Sequence, residues 1–124
     1  MNYQEKISYT TFRRYCKTLE LRNDSALIAA YKKAHSKGQA WPEITQAMIE
    51  VGILDMEIYL SGTQLFMIMD TVPDFEHDKA FAELAKKPRQ AEWEAYMAKF
   101  QDASADAAAD KKWKMIERIY KLGE

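Results

Sequence analysis

A single cysteine, Cys16, rules out an intramolecular disulfide and any metal site built on a cysteine cluster. A lone thiol makes a reducing cytoplasm the simplest address. No apolar run approaches the roughly 20 residues needed to span a bilayer. The opening MNYQEKISYTTFRR has no apolar core of the signal-peptide kind. Neither sign of charge dominates: 18 Lys and Arg face 19 Asp and Glu, a net charge of −1. The basic stripe that nucleic-acid phosphates demand is therefore missing. Neither a membrane nor a nucleic acid is an expected partner. Two scattered histidines do not make a metal centre, and no metal or other cofactor is expected. What remains is an ordinary globular balance, 48% hydrophobic and 30% charged over 124 residues. It predicts one domain, residues 1–124, with a single core and a polar N-terminal tail over residues 1–12.

Periodicity lays out the elements. Residues 14–22 alternate, with Tyr15, Lys17, Leu19 and Leu21 on one face and Cys16, Thr18 and Glu20 on the other. Asn23, Asp24 and Ser25 supply helix-capping chemistry. Leu27, Ala30, Tyr31 and Ala34 then follow at i, i+3, i+4 and i+7, a core-facing helical stripe. Gly38 is suited to a left-handed stop and Pro42 to the first turn of a second helix. Ile44, Ala47, Met48 and Val51 give that second helix its apolar stripe.

A second strand is expected over residues 53–60, with Leu54, Met56, Ile58 and Leu60 on one face and Asp55, Glu57 and Tyr59 on the other. Ser61-Gly62-Thr63 is a hairpin turn leading to a third strand, 64–71, apolar on both faces and so central. Helices are expected over 75–87 and 89–100, separated at Pro88. Phe81 and Leu84 point inward from the first. Trp93, Tyr96, Met97 and Phe100 form the stripe of the second. An Ala- and Asp-rich loop, 101–110, precedes a last strand, 112–122. The order β-α-β-β-α-β is the split βαβ, ferredoxin-like arrangement of the α+β class. Its uncovered sheet face carries Tyr, Met and Leu among the charges, too apolar to stay wet. Two sheets packed face to face would make a dimeric α+β barrel, so a homodimer is expected.

Tyr31 and His35, four apart, share one helix face. Either can be structural: tyrosine as core, histidine as a helix-end cap. Trp93 opens an apolar stripe, and Trp41 packs beside a proline-started helix. His77, in FEHDKA, sits among charges and is expected to face solvent.

YKKAH, WPEI, EIYL, LFMIMD, EWEAYM and a closing ERIYKL follow in that order. In this the chain resembles the L-rhamnose mutarotase family, small dimeric α+β barrel proteins, from Arg14 to Leu122. The resemblance implies an isomerase that interconverts the α and β anomers of a 6-deoxy sugar without metal or organic cofactor. It implies His35 as proton donor, with Tyr31 and Trp93 in contact with the sugar. Rhamnose-type members have a second tryptophan where this chain has Glu94, and a strand tyrosine where it has Met56. These departures leave the identity of the sugar open, while the insert before the last strand and the pattern Trp113 through Ile119 resemble more the L-fucose mutarotase branch.

Mutarotation opens a cyclic hemiacetal and closes it on the other face. One group must take the anomeric proton and another must protonate the ring oxygen. A histidine, with a usual pKa near ~6.5, can take either role at neutral pH, whereas a tyrosine near ~10 serves as a donor. Asp55, Glu57, Tyr59 and Glu117 are candidate hydroxyl partners. Two other readings use the same fold. One is a cofactor-independent or haem-binding dimeric-barrel monooxygenase with an apolar pocket. The other is a non-catalytic dimer that binds a ligand.

Overall fold

The alternation at the start of the chain becomes strand β1, Arg13–Glu20. Lys17, Leu19 and the following Leu21 are buried, and their alternate neighbours are not. This is a computed structural model, and it describes residues 10–101 and 109–124. Most of the expected tail and of the Ala- and Asp-rich loop lies outside the described residues.

Asp24 caps helix α1, Ser25–Ala34, its carboxylate accepting from the amides of Ala26 and Leu27. The helix stops at Ala34, before Gly38, because two side chains take over its last carbonyls. His35 Nδ1 lies 2.9 Å from the Tyr31 carbonyl, and Ser36 Oγ donates to the Lys33 carbonyl at 2.6 Å. Gly38 (φ +84°) instead shapes the turn beyond. Helix α2, Pro42–Glu50, begins on its proline. It buries Ile44 and Ala47.

Strands β2, Ile53–Ser61, and β3, Gln64–Thr71, form the expected hairpin. One detail differs. Ile53 pairs with Thr71 and Asp55 with Asp70, so Leu54 is an extra residue, a β-bulge. Ile53 and Met56 thus share the core-facing side although they are three apart. Leu54, expected beside Met56, is exposed. Helices α3, His77–Leu84, and α4, Gln90–Ala98, follow. Phe81 and Leu84 are buried on α3, and Trp93 and Met97 on α4.

The last strand departs most. Residues 109–112 form a short helix, α5, Ala109–Lys112. Strand β4 is only Lys114–Met115, and the chain beyond is irregular, with Ile119, Tyr120 and Leu122 at 89%, 72% and 81% exposure. The alternation of 112–122 is apolar on both sides. Within one chain it finds cover on neither once it leaves β1, and periodicity without an opposing surface does not fix a strand.

The four strands make one antiparallel sheet in the order β2-β3-β1-β4. Helices cover one face and gather the core into two clusters. One contains Leu19, Leu21, Tyr31, Ile44, Leu65, Trp93, Met97 and Phe100. The other contains Ile53, Met67, Met69, Phe75, Phe81 and Leu84. Met48, Ile58 and Trp113 touch both. The opposite face carries Cys16, Thr18, Tyr59, Phe66 and Ile116, with a bidentate pair from Arg14 to Asp70 (2.7 and 2.9 Å).

Candidate active site

At the seam between the two clusters lies a cavity of about 130 Å³. Its wall includes His35, Tyr31, Trp93, Met56 and Glu94. A more open cleft of about 430 Å³ shares His35, Met48, Met56 and Ile58 with it, and reaches Leu54 and Asp55. His35 therefore stands between the enclosed space and its approach.

The end of α1 sets the state of this histidine. A carbonyl only accepts, so the contact to Tyr31 places the proton on Nδ1 and leaves the Nε2 lone pair unused. Burial pushes the His35 pKa below its usual value, and the backbone bond opposes this only in part. The ring is neutral at pH 7, a competent base. Its faces are lined by rings, Tyr31 at 4.3 Å and Trp93 at 5.5 Å between centroids.

Tyr31 is almost fully buried, and burial drives its pKa far up. A side-chain hydrogen bond from Gln101 works weakly the other way. The phenol stays protonated and acts as a donor. Trp93, buried by the α4 stripe, meets Trp41 edge-on at 5.1 Å. Trp41 in turn stacks on Tyr96. The Arg89 guanidinium lies over Trp41 at 4.1 Å and pairs with Glu43 and Glu92. Arg89 adopts φ +65° at the start of α4, unusual for a residue with a Cβ.

Glu94 is held rather than free. Its Oε1 accepts from Gln90 Nε2 at 3.0 Å and its Oε2 from Lys112 Nζ at 2.9 Å. Lys112 is wholly buried and also bonds the Glu94 carbonyl at 2.5 Å. The pair ties α5 onto α4 and fixes a carboxylate in the cavity wall.

Four expected hydroxyl partners do not reach the cavity. Asp55, Glu57 and Tyr59 alternate with Met56 and Ile58, which line the cavity, and so lie on the other side of β2. There the Tyr59 hydroxyl donates to Glu57, and Asp55 accepts from the Met56 amide at the mouth of the cleft. Glu117 is exposed on the irregular C-terminal segment. His77 does not face solvent either. Its side chain is 18% exposed, set between the rings of Tyr15, Phe75 and Phe81. As the first residue of α3 it folds down toward the sheet. Trp41, Lys17, Gln90, Gln101 and Trp113 also line the cavity. Helical spacing from Trp93 reaches Gln90 and Met97, so Gln90 had a signal. Lys17 sat on an apolar strand face as the one charge, a signal passed over. Trp41 and Gln101 precede and follow helices, where periodicity is silent.

A family profile described as L-rhamnose mutarotase matches residues 14–122. The chain belongs to the L-rhamnose mutarotase family. A protein of Xanthomonas campestris pv. campestris named L-fucose mutarotase is 37% identical over 114 residues, covering 92% of this chain and 91% of that protein. A UPF0734 protein of Dictyostelium discoideum is 33% identical, covering 90% of each chain. Among solved structures, L-rhamnose mutarotase from Formosa agariphila superposes with a TM-score of 0.67 at 19% identity, covering 89% of this chain and 98% of that one. The mutarotase fold is thus shared where little sequence is. No helix among the described residues is long and apolar enough to cross a membrane, and no metal-ligating cluster occurs among them.

Proposed function

We propose that the protein is a sugar mutarotase that interconverts the α and β anomers of a 6-deoxyhexose by general acid–base catalysis. The observation that carries this reading is His35 itself. It is a neutral imidazole with Nδ1 committed to backbone and Nε2 left for the cavity, in a chain of this family. His35 Nε2 takes the anomeric proton as the ring opens and returns it as the ring closes. Tyr31 donates to a sugar oxygen. Trp93 offers a flat wall to the sugar's C–H face, Met56 fills the apolar side, and the fixed carboxylate of Glu94 accepts from hydroxyls. A positioned acid–base group contributes roughly 10²–10⁴-fold, ample for a reaction that already proceeds in water.

L-fucose is the favoured sugar, L-rhamnose the second. The 37% identity to a protein named L-fucose mutarotase supports this, as does Glu94 where the rhamnose type carries tryptophan. The monooxygenase and ligand-carrier readings have no comparable support. The assembly is a homodimer, a ferredoxin-like βαββαβ pair closing into an α+β barrel. Support comes from Tyr59, Phe66 and Ile116 exposed on the helix-free sheet face and from the apolar residues of 116–124. A second copy is the occupant such a face fits. The half-buried free thiol of Cys16 on that face fits a cytoplasmic address.

One-dimensional NMR saturation transfer between the anomeric protons of L-fucose and L-rhamnose tests the activity. Exchange faster than in buffer is expected, and absence of acceleration for any aldose would sink the reading. Sedimentation at micromolar concentration tests the dimer, which a monomer would contradict.

A further inference from the structure

Helix α4 runs along the cavity with one line of side chains. Gln90, Trp93, Glu94 and Met97 follow at i, i+3, i+4 and i+7, and Gln101 continues the line just past the helix end. All five line the cavity. Trp93 and Met97 give the line an apolar middle, and amides stand at its two ends. Both amides are buried, Gln90 at 4% exposure and Gln101 at 2%. Among the described residues, three buried side-chain polar atoms lack a hydrogen-bond partner: His77 Nε2, Gln90 Oε1 and Gln101 Oε1. Two of the three belong to this one wall.

The half of each amide that is used fixes the half that is left. Gln90 Nε2 donates to Glu94 Oε1 at 3.0 Å. A carboxylate only accepts, so the nitrogen must face Glu94 and the oxygen is left over. The Gln101 amide donates to the Tyr31 hydroxyl, which leaves its own oxygen over and the phenol proton unspent. A bridge to Leu21 and a bond from its backbone amide to the Met97 carbonyl at 3.2 Å hold Gln101 in place. An orphan acceptor in a largely apolar wall is costly, and a methionine would fill the same space without that cost. Positions that break the packing rule beside a cavity point to a ligand. That ligand must bring a donor for each oxygen. A sugar has them in its ring hydroxyls, whereas an apolar aromatic substrate has none.

Building on the mutarotase reading, we infer that Gln90 and Gln101 are the residues that select the sugar, each amide oxygen accepting from a ring hydroxyl away from the anomeric carbon. An amide oxygen is too weak a base to move a proton at neutral pH, so the two act in binding rather than in the chemical step. The hydroxyls on C2, C3 and C4 keep their protons throughout ring opening. Bonds to them are therefore as strong before the transition state as in it. Contributions of this kind lower KM and leave kcat alone. They also discriminate steeply, since a sugar lacking the hydroxyl leaves the oxygen buried and unpaired again. L-fucose and L-rhamnose differ in the orientation of the hydroxyls on C2 and C4, so two separate acceptors suffice to tell them apart.

The test is anomeric exchange by NMR on the parent, Gln90→Met and Gln101→Met, each with L-fucose and its 2-, 3- and 4-deoxy analogues. Each variant should raise KM for L-fucose about tenfold, with kcat within about threefold of the parent. In the parent, two of the analogues should have kcat/KM lower by at least about tenfold. Gln90→Met should treat one of those two analogues as it treats L-fucose, and Gln101→Met the other. Variants with KM for L-fucose within about twofold of the parent overturn the assignment while leaving the mutarotase reading intact. A parent that makes no distinction among the analogues does the same. A parent that accelerates no sugar removes the mutarotase reading and this assignment with it. If a variant fails to fold, a crystal structure of the parent with L-fucose decides. A sugar hydroxyl within about 3.2 Å of each amide oxygen is expected, and either oxygen out of reach of the sugar overturns the proposal.

Discussion

The two halves of the core each hold one histidine among rings, and the two differ in what lies beside them. In the half built on α1 and α4, His35 touches Tyr31 and Trp93, with Trp41 and Phe100 just beyond. In the half beneath α3, His77 touches Tyr15, Phe75 and Phe81. Both commit Nδ1 at 2.9 Å, His35 to a carbonyl and His77 to Asp78. The difference is space. His35 opens on the cavity, whereas His77 Nε2 is buried and has no partner among the described residues. The two share aromatic company, and what sets His35 apart is the adjoining cavity. The halves also differ in material. Both hold rings, but the second also buries Met67 and Met69, with Met56 alongside, where a soft side chain can adapt.

The sharpest way to break this contrast is to treat the two histidines alike. His35→Ala should slow anomeric exchange by about 100-fold or more, while His77→Ala should leave exchange per folded molecule near the parent value. Equal losses would erase the distinction. The next effect is on stability. Met69→Ala, at a position 0% exposed, should cost about 2–5 kcal/mol in urea unfolding yet keep kcat, because Met69 does not line the cavity. On the His35 side, Trp93→Leu should raise KM for L-fucose about tenfold, for an anchor ring worth roughly 1–3 kcal/mol, with a smaller change in kcat.

The smallest effect is the most diagnostic. His35 has a depressed pKa, so its lone pair survives acidification that would protonate a free histidine. kcat/KM should stay level from neutral pH down through about 6.5 and fall only below it. Stability follows the same sign. Below about 6.5 the unfolded chain binds a proton that the native His35 resists, so the contribution of His35 to stability is present above that pH and lost beneath it. An acid limb that begins above 6.5 would contradict the burial of the ring.

Much of the fold was legible because strong periodicity and punctuation coincide. Asp24, Pro42, Gly62 and Pro88 mark element boundaries that tertiary packing left in place. Tyr31, His35 and Trp93 were legible as a group through helical spacing and ordered motifs together. The end of the chain was not. Residues 112–122 alternate, but alternation encodes a strand only when something lies on each side, and a single chain offers too little. Lys112 illustrates the same limit, since its buried pairing with Glu94 is a long-range fact that no local pattern records. The candidate hydroxyl partners Asp55, Glu57 and Tyr59 were legible as one face of β2, but alternation does not say which face meets the cavity; the bulge at Leu54 is the detail of that strand it could not record.

That extra residue has a consequence for how this gene tolerates length change. Leu54 is paired with nothing across the hairpin, and on either side of it the ladder is in phase. Loss of one codon there would yield a regular strand with Ile53, Met56 and Ile58 still turned to the cavity. Loss of one codon at Glu57 would bring Ile58 into its place and send the rest of the strand to the wrong face. Position 54 works as a spacer between two reading frames of the same strand. It is the point in β2 where drift by a single residue is structurally silent.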